Sequence, residues 1–318
     1  MPHIVSNSKS IFVLGRLITN NVLVAFETLH YMHYNKIGRD EAMALKLDMS
    51  KAYDQVEWKF LEAIMSKMGF HHRWIALMLE CISTVSYSIL VNEEPHGYIQ
   101  PSRGLRQGNP LSPYLFLLCA EGLHFLVKKA DMDGAVQGIS ICRGGPKITH
   151  LFFADDSLFF HKATTIACNK IQEILGQYER AFGQQVNRDK TTIYFNKATT
   201  LTTQNAIKES LGVPIIRQYE KYLGFPSLIG RNRSESFTQI KERVWHKLKG
   251  WKEKLLSQAG KEVMIKVVSQ AILTYSMSYF RLPLKLCHDL EAIVRKFWWS
   301  NNSNQRKIHW VSWKKLCQ

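Results

Sequence analysis

The segment LFFADDSLFF, Leu151 to Phe160, sets two adjacent aspartates in the middle of an almost wholly apolar run. Flanks this apolar belong in a core, and buried carboxylates are costly unless something pairs with them. The two halves, ITHLFFA and SLFFHKA, read as strands, with Asp155 and Asp156 at the tight bend between them. The chain must therefore cover two strands while leaving their shared tip open to a compensating charge. Three readings of the tip arise. Aspartate suits turns because its side chain bonds nearby backbone. A calcium loop would carry spaced D-x-D-x-D-G ligands, which are missing here. A phosphoryl-transfer site would need carboxylates from separate segments converging on two cations about 3.5–4 Å apart.

Asp48 favours the last reading. It closes a second apolar stretch, AMALKLDM (42–49), which also reads as a buried strand. Two strand ends that each deliver carboxylate can meet if the strands are sheet neighbours. Magnesium takes hard oxygen ligands and keeps positions open for waters and phosphates. Between the acids lies a basic glycine and proline loop, SRGLRQGNPLSP (102–113), of the kind that lets backbone approach phosphate closely.

The rest of the chain fits around these strands. Val56, Phe60, Ile64 and Met68 recur every four residues, which predicts a helix over 54–70, with Asp54 and Glu57 as its capping box. TVSYSILVN (84–92) predicts a strand. Ser112 is placed to cap a central, all-round apolar helix with Pro113 in its first turn. A helix over 164–182 carries Ile171, Leu175, Tyr178 and Phe182, and TTIYF (191–195) reads as a strand. KYLGFPSLIG (221–230) looks like a hairpin at a domain boundary. Beyond it, Phe237, Ile240, Val244, Leu248, Trp251 and Leu255 form a helical stripe, with Lys241, Arg243, Lys247, Lys249, Lys252 and Lys254 on other faces. A second helix is expected from Lys261 to Phe280.

Net charge narrows the partners. The 318 residues carry a formal charge of +16. Residues 229–318 hold 18 basic and 6 acidic side chains, roughly three quarters of that excess. Such a chain seeks a polyanion, either nucleic acid or an anionic membrane surface, although only the charge supports the membrane. The longest apolar segment, SPYLFLLCAEGLHFLV, is interrupted by Glu121 and is shorter than the ~20 residues of a membrane span. The start lacks the basic and apolar regions of a signal peptide. The six cysteines form no C-x-x-C pair and read as thiols of a reducing compartment. A nuclear or cytoplasmic protein is expected, not a secreted one. Oligomeric state stays open.

LKLDMSKAYDQVEW, SRGLRQGNPLSPYLF, HLFFADD, GQQVNRDKT and KYLG occur in this order. Together they resemble the palm motifs of reverse transcriptases, in wording like that of plant LINE-type non-LTR retrotransposons. LSQAGKEVMIKVVSQAILTYSMSYFRLP and FWWSNNSNQRKIHWVSWKKLC extend the resemblance to the C-terminus. The resemblance implies an α+β fold: a right-hand polymerase palm with an antiparallel sheet and packed helices, partial fingers, and a helical thumb-like region. Residues 1–228 would be partial fingers and palm, and 229–318 a basic thumb.

The resemblance also implies roles. Asp48 and Asp155 would be the principal ligands of two magnesium ions, with manganese a possible substitute, and Asp156 a supporting third acid. Met49 and the turn through Ala52 would line the triphosphate pocket, and Tyr53 would exclude a 2′-hydroxyl; read alone, Tyr53 is better explained as a packed core aromatic. Gln107 and Gly108 would lie against the incoming nucleotide and template. Lys190 would give a proton to the leaving pyrophosphate, Arg16 would approach the triphosphate, and Tyr222, Leu223 and Gly224 would grip the primer. The reaction would be attack by a DNA primer 3′-hydroxyl on a deoxynucleoside triphosphate, templated by RNA.

Some positions depart from the family's usual residues: Asn109 and Asn21 stand where aspartate is usual, Phe182 where serine is, and Leu14 where proline is. They suggest mild decay, though none removes an expected metal ligand. The chain reads as an excised palm and thumb that begins inside the fingers and ends before a downstream Cys/His region. Two functions follow: an RNA-directed DNA polymerase domain, or an inactive remnant that only binds nucleic acid.

Overall fold

A computed structural model describes residues 5–6, 8–9, 12–34, 40–142, 144–153, 156–216, 237–252, 256–299 and 311–316. The chain divides into two compact units, Met1–Tyr219 and Glu220–Gln318.

The first unit is built on a four-stranded antiparallel sheet. Its strands are β1 (Ala42–Leu47), β7 (His150–Phe153), β8 (Asp156–Lys162) and β10 (Thr192–Phe195), in the order β10-β1-β8-β7. Alternation along β1 gives the sheet two unlike faces. Met43, Leu45 and Leu47 join Phe159, Phe152, Ile193 and Phe195 in the main core. Helices α2 (Trp58–Lys67), α4 (Ser112–Met132) and α5 (Thr165–Phe182) supply much of the rest of that core. The opposite face carries the small residues Ala42 and Ala44, with Leu158, Phe160 and Tyr194. Helix α1 (Ile18–Tyr34) is bonded to this sheet. Asn21 Nδ2 donates to the Phe152 carbonyl at 3.0 Å, and His33 Nδ1 lies 3.0 Å from the Tyr194 hydroxyl.

The expected strands and the long helices recur close to their predicted positions, with instructive differences at the helix starts. Helix α2 begins at Trp58, and the Asp54–Glu57 capping box does not form. Residues 51–55 are instead a turn, with Asp54 N–H donating to the Lys51 carbonyl. The Glu57 N–H donates to the Phe182 carbonyl, and its carboxylate lies 3.4 Å from Arg103. Ser112 does not cap α4 either, and its hydroxyl is buried without a partner. Asn109 does the work one turn earlier, its Oδ1 accepting from Leu111 N–H at 2.9 Å. An aspartate would accept the same bond, so this departure from the family costs nothing locally. Phe182 is likewise at home, buried against Phe60, Tyr178 and Phe116.

Several stretches were not foreseen, helix α1 among them. Helix α3 (His72–Ser83) follows α2 directly, and β4 (Glu94–Ile99) pairs with β3 (Tyr87–Val91) in an exposed hairpin. Two short strand pairs, β2 (Met49–Ser50) with β9 (Gln185–Val186) and β5 (Ile139–Ser140) with β6 (Lys147–Ile148), and helix α6 (Leu201–Leu211) complete the unit.

Two glycines clamp the turn between Asp48 and α2. Gly104 has φ +93°, and a Cβ there would meet the Asp54 carbonyl oxygen at 2.8 Å. Gly183 ends α5 with φ +82°, and its Cβ would meet the Gln55 carbonyl oxygen at 2.6 Å. Both contacts are backbone on backbone, so neither can be relieved by a side-chain rotation.

The second unit is helical in its described residues. It contains α7 (Thr238–Lys252), α8 (Gln258–Val263), α9 (Gln270–Met277), α10 (Leu284–Trp299) and α11 (Trp313–Leu316). A π-helical turn, Met264–Ser269, joins α8 to α9, so the expected helix runs on through a wider turn. Phe237, Val244 and Leu248 of the predicted stripe are buried against Leu286, Leu290 and Phe297. Trp251 is exposed, and Leu255 lies outside the described residues, as does the expected 221–230 hairpin. Among the described residues no helix is long and apolar enough to cross a membrane.

Either Gly104→Ala or Gly183→Ala should destabilise the first unit by about 2 kcal/mol or more, from left-handed backbone strain plus overpacking. Urea unfolding of each variant checks this. Gly134→Ala, whose Cβ would meet nothing, should lose only the conformational part.

Candidate active site

The site forms where β1 ends and β8 begins. Antiparallel pairing sets Leu47 opposite Ser157, so Asp48 leaves β1 beside the point where Asp156 enters β8. Both carboxylates are about a third exposed, at 31% and 30%. On the other side of β8, Asp156 is paired with Phe153 of β7. Ala154 and Asp155, between those partners, lie outside the described residues, as do Tyr222, Leu223 and Gly224.

The main chain of Asp48 is fixed from the GQQVNRDKT stretch. The Asn187 N–H donates to the Asp48 carbonyl at 2.8 Å, and the Thr191 hydroxyl lies 3.5 Å from the Asp48 nitrogen. That hydroxyl donates to the Asn187 carbonyl at 2.8 Å, so the two anchors support each other. One residue on, Met49 pairs with Val186. Gln184, buried, donates to the Ala52 carbonyl at 2.7 Å. The same stretch carries Lys190, whose Nζ lies 4.0 Å from Asp48 Oδ2. Asp48, Met49, Ala52, Asp156 and Lys190 therefore come together.

Tyr53 continues the turn and stacks on Phe116 of α4, with centroids 4.7 Å apart and planes inclined by 13°. Its carbonyl accepts from Leu105 N–H at 2.9 Å, and Gly104 N–H donates to the Val56 carbonyl at 2.8 Å. These bonds fasten the loop of Gln107 and Gly108 to the turn after Asp48. Gln107 is exposed, and Gly108 has φ +86°. The loop borders a cleft of about 410 Å³ whose lining includes Asp54, Tyr87, Arg103, Arg106 and Gln107. Arg16 is engaged elsewhere. Its guanidinium donates to the carbonyls of Val5, Ser6 and Lys9.

Lys46 was not foreseen as part of the site. Its Nζ lies 3.4 Å from Asp156 Oδ1. A lysine inside the apolar run AMALKLDM was the available signal. Asn187, Thr191 and Gln184 were also missed as anchors, because they act through backbone bonds that leave no pattern in sequence.

The donor set suits a hard divalent cation. Two carboxylates stand at adjoining strand ends, open enough for waters and phosphate oxygens to complete a coordination shell. Each already has an ammonium beside it, at 3.4 and 4.0 Å, which marks the tip as a place that attracts positive charge.

Residues 7–227 match the family described as reverse transcriptase (RNA-dependent DNA polymerase), and the chain belongs to that family. Over 107 residues it is 42% identical to an uncharacterized mitochondrial protein of Arabidopsis thaliana, covering 33% of this chain and 86% of that one. Over 98% of its length it is 22% identical to a 149 kDa protein of transposon TX1 from Xenopus laevis, of which it spans 23%. Among solved structures, telomerase from Candida albicans in complex with a telomeric RNA fragment is similar with a TM-score of 0.44. That match has 14% identity and covers 90% of this chain and 48% of that one. Reverse transcriptases generally use divalent metals.

Thr191→Val keeps the shape of a buried residue and removes its hydroxyl. It should cost about 1–2 kcal/mol, since the Asn187 carbonyl loses a donor and the Asp48 N–H its nearest side-chain acceptor. Denaturant unfolding of the variant measures the loss.

Proposed function

We propose that this chain is the palm and thumb of an RNA-directed DNA polymerase of a retrotransposon, extending a DNA primer on an RNA template with deoxynucleoside triphosphates. The observation that carries this reading is the meeting of Asp48 and Asp156 at adjoining strand ends, inside a chain of the reverse transcriptase family. Asp48, Asp155 and Asp156 would hold two magnesium ions, for which manganese can substitute. When bound, these ions supply electrostatic stabilisation to the attacking and leaving oxygens.

The remaining work falls to the chain's own groups. Positioning supplies much of phosphoryl transfer. The anchored backbone at Met49 and Ala52 would shape the triphosphate pocket. Tyr53, held by its stack on Phe116, would present bulk where a ribose 2′-hydroxyl would stand. Lys190, 71% exposed and near Asp48, would move and deliver a proton to the pyrophosphate. Gln107 and Gly108 would meet the nucleotide and template. Arg16 would approach the triphosphate only after leaving its carbonyl partners, and Tyr222, Leu223 and Gly224 would grip the primer.

The second unit would follow duplex phosphates. Arg243, Lys247 and Lys249 are exposed on α7, outside its buried stripe, and Lys285, Arg295 and Lys296 are exposed on α10. Apolar side chains hold the helices together, so the basic face is left for a polyanion.

Two experiments test the proposal. Magnesium-dependent primer extension on an RNA template, by this chain or by it joined to a related upstream fingers segment, should fall at least about a thousandfold in Asp48→Ala and in Asp155→Ala. Retained extension in either variant removes the site assignment. Affinity for an RNA–DNA duplex should fall steeply with salt, through counterion release. Replacing Arg243, Lys247 and Lys249 together by glutamine should flatten that slope. A slope that does not move returns these residues to a solvated helix face.

A further inference from the structure

Lys46 has no part in the reaction proposed above, yet its ammonium is the described cation nearest Asp156. It projects from the middle strand of the sheet. Its residue partners are Leu158 on one side and Thr192 on the other, so its backbone is paired along both edges. The alternation of β1 puts Lys46 on the same face as Asp48, while Met43, Leu45 and Leu47 enter the core on the other. Asp156 lies two residues before Leu158, the partner of Lys46, and so shares that face. Only 26% of the Lys46 side chain is exposed.

Lys190 makes the contrast. It approaches Asp48 from a loop at 4.0 Å, and its side chain is 71% exposed, so it can swing away at little cost. Lys46 is more confined. Its stem leaves a strand paired on both edges, and its side chain is far less exposed than that of Lys190.

We infer that Lys46 is a tethered counter-cation that holds Asp156 and competes with divalent metal for it. The inference rests on the proposed reading of the strand-end aspartates as metal ligands. Adjoining carboxylates repel one another when nothing stands between them, and one ammonium relieves that repulsion. The same ammonium must be displaced from Asp156, or tolerated as a neighbouring like charge, when a dication enters. The site therefore binds a divalent ion more weakly than two strand-end aspartates otherwise would. Tight occupancy then depends on the negative charge that a triphosphate brings, which links metal retention to the presence of substrate. Lys46 is in this sense a positioning residue for Asp156.

Binding of Mn2+ to the whole chain, followed by electron paramagnetic resonance without nucleotide, tests the inference apart from activity. Lys46→Met removes the charge and keeps an unbranched side chain one atom shorter. It should tighten Mn2+ binding on the order of tenfold, a step of about 1.4 kcal/mol. Lys46→Arg keeps the charge and should bind as the parent does. Lys46→Gln gives the same comparison should methionine at this position impair folding, which circular dichroism checks. In an Asp156→Asn background the gain from Lys46→Met should shrink, because no carboxylate is left to release. Unchanged or weaker Mn2+ binding in both Lys46→Met and Lys46→Gln overturns the role of Lys46 while leaving the carboxylate site standing. Mn2+ binding that is absent from the parent chain, or indifferent to Asp48→Asn, overturns the metal-site reading and this inference with it.

Discussion

The site depends on one pairing register, Leu47 opposite Ser157. Side chains alternate between the two faces of a strand, so a slip of one residue would exchange them. Asp48 would then turn toward the core occupied by Leu47 and Leu45, and the acids would no longer adjoin. The register is held because the faces are so unequal. Met43, Leu45, Leu47 and Phe159 are buried among helices on one side, while Ala42 and Ala44 leave room on the other. Apolar patterning thus does more than stabilise the sheet. It aims the carboxylates.

A second set of buried charges lies away from the strand tip. Lys9 and Glu121 form an ion pair at 2.8 Å, each 1% exposed. Glu121 also accepts from the N–H and hydroxyl of Ser6, and Lys9 lies over the Phe152 ring. Burial lowers the Lys9 ammonium to about 8, and the carboxylate beside it limits the fall. Next to the pair, His124 and His150 are 2.8 Å apart, and burial holds His150 well below the usual histidine range. Such a pair is weak evidence for net stability, but removing one partner strands the other charge, at a cost of about 3–5 kcal/mol. Glu121 interrupts the apolar helix α4 for this reason. It receives the N-terminal segment.

The parts of the fold that follow from repeating apolar patterns were legible in the sequence. Strands β1, β7, β8 and β10 were marked by short apolar runs, helix α4 by being apolar all round and helix α5 by its three- and four-residue spacing, and the order of the motifs identified the family. Helix starts were less legible. Asp54 and Ser112 satisfy the local rules for capping, but a tertiary bond from the Glu57 N–H to the Phe182 carbonyl and a local one from the Leu111 N–H to the Asn109 side chain take over those positions. Asp48 and Lys190 were recognisable as carriers of chemistry. Their supports, Asn187, Thr191 and Gln184, act through main-chain contacts over 130 residues or more, where spacing carries no signal. Lys46 was visible as an oddity, but only the register shows which acid it serves. Asn21 is a similar case. As an aspartate it would have no proton to give the Phe152 carbonyl, so its departure from the family suits this sheet.

Both outer strands of the main sheet are met by distant segments. Lys9 forms a parallel bridge with Phe152 on β7, and the Phe152 N–H donates to the Ser8 carbonyl. At the opposite margin Ile215 bridges Ile193 on β10. There Ile193 donates to the Pro214 carbonyl and accepts from Ile216. Bare strand margins are templates for pairing with other chains, and native sheets blunt them. Here the blunting comes from segments just before the first helix and just after the sixth. The sheet is finished on each flank by chain that must already be folded into place, so growth into a continuous ribbon of stacked molecules is blocked from both directions.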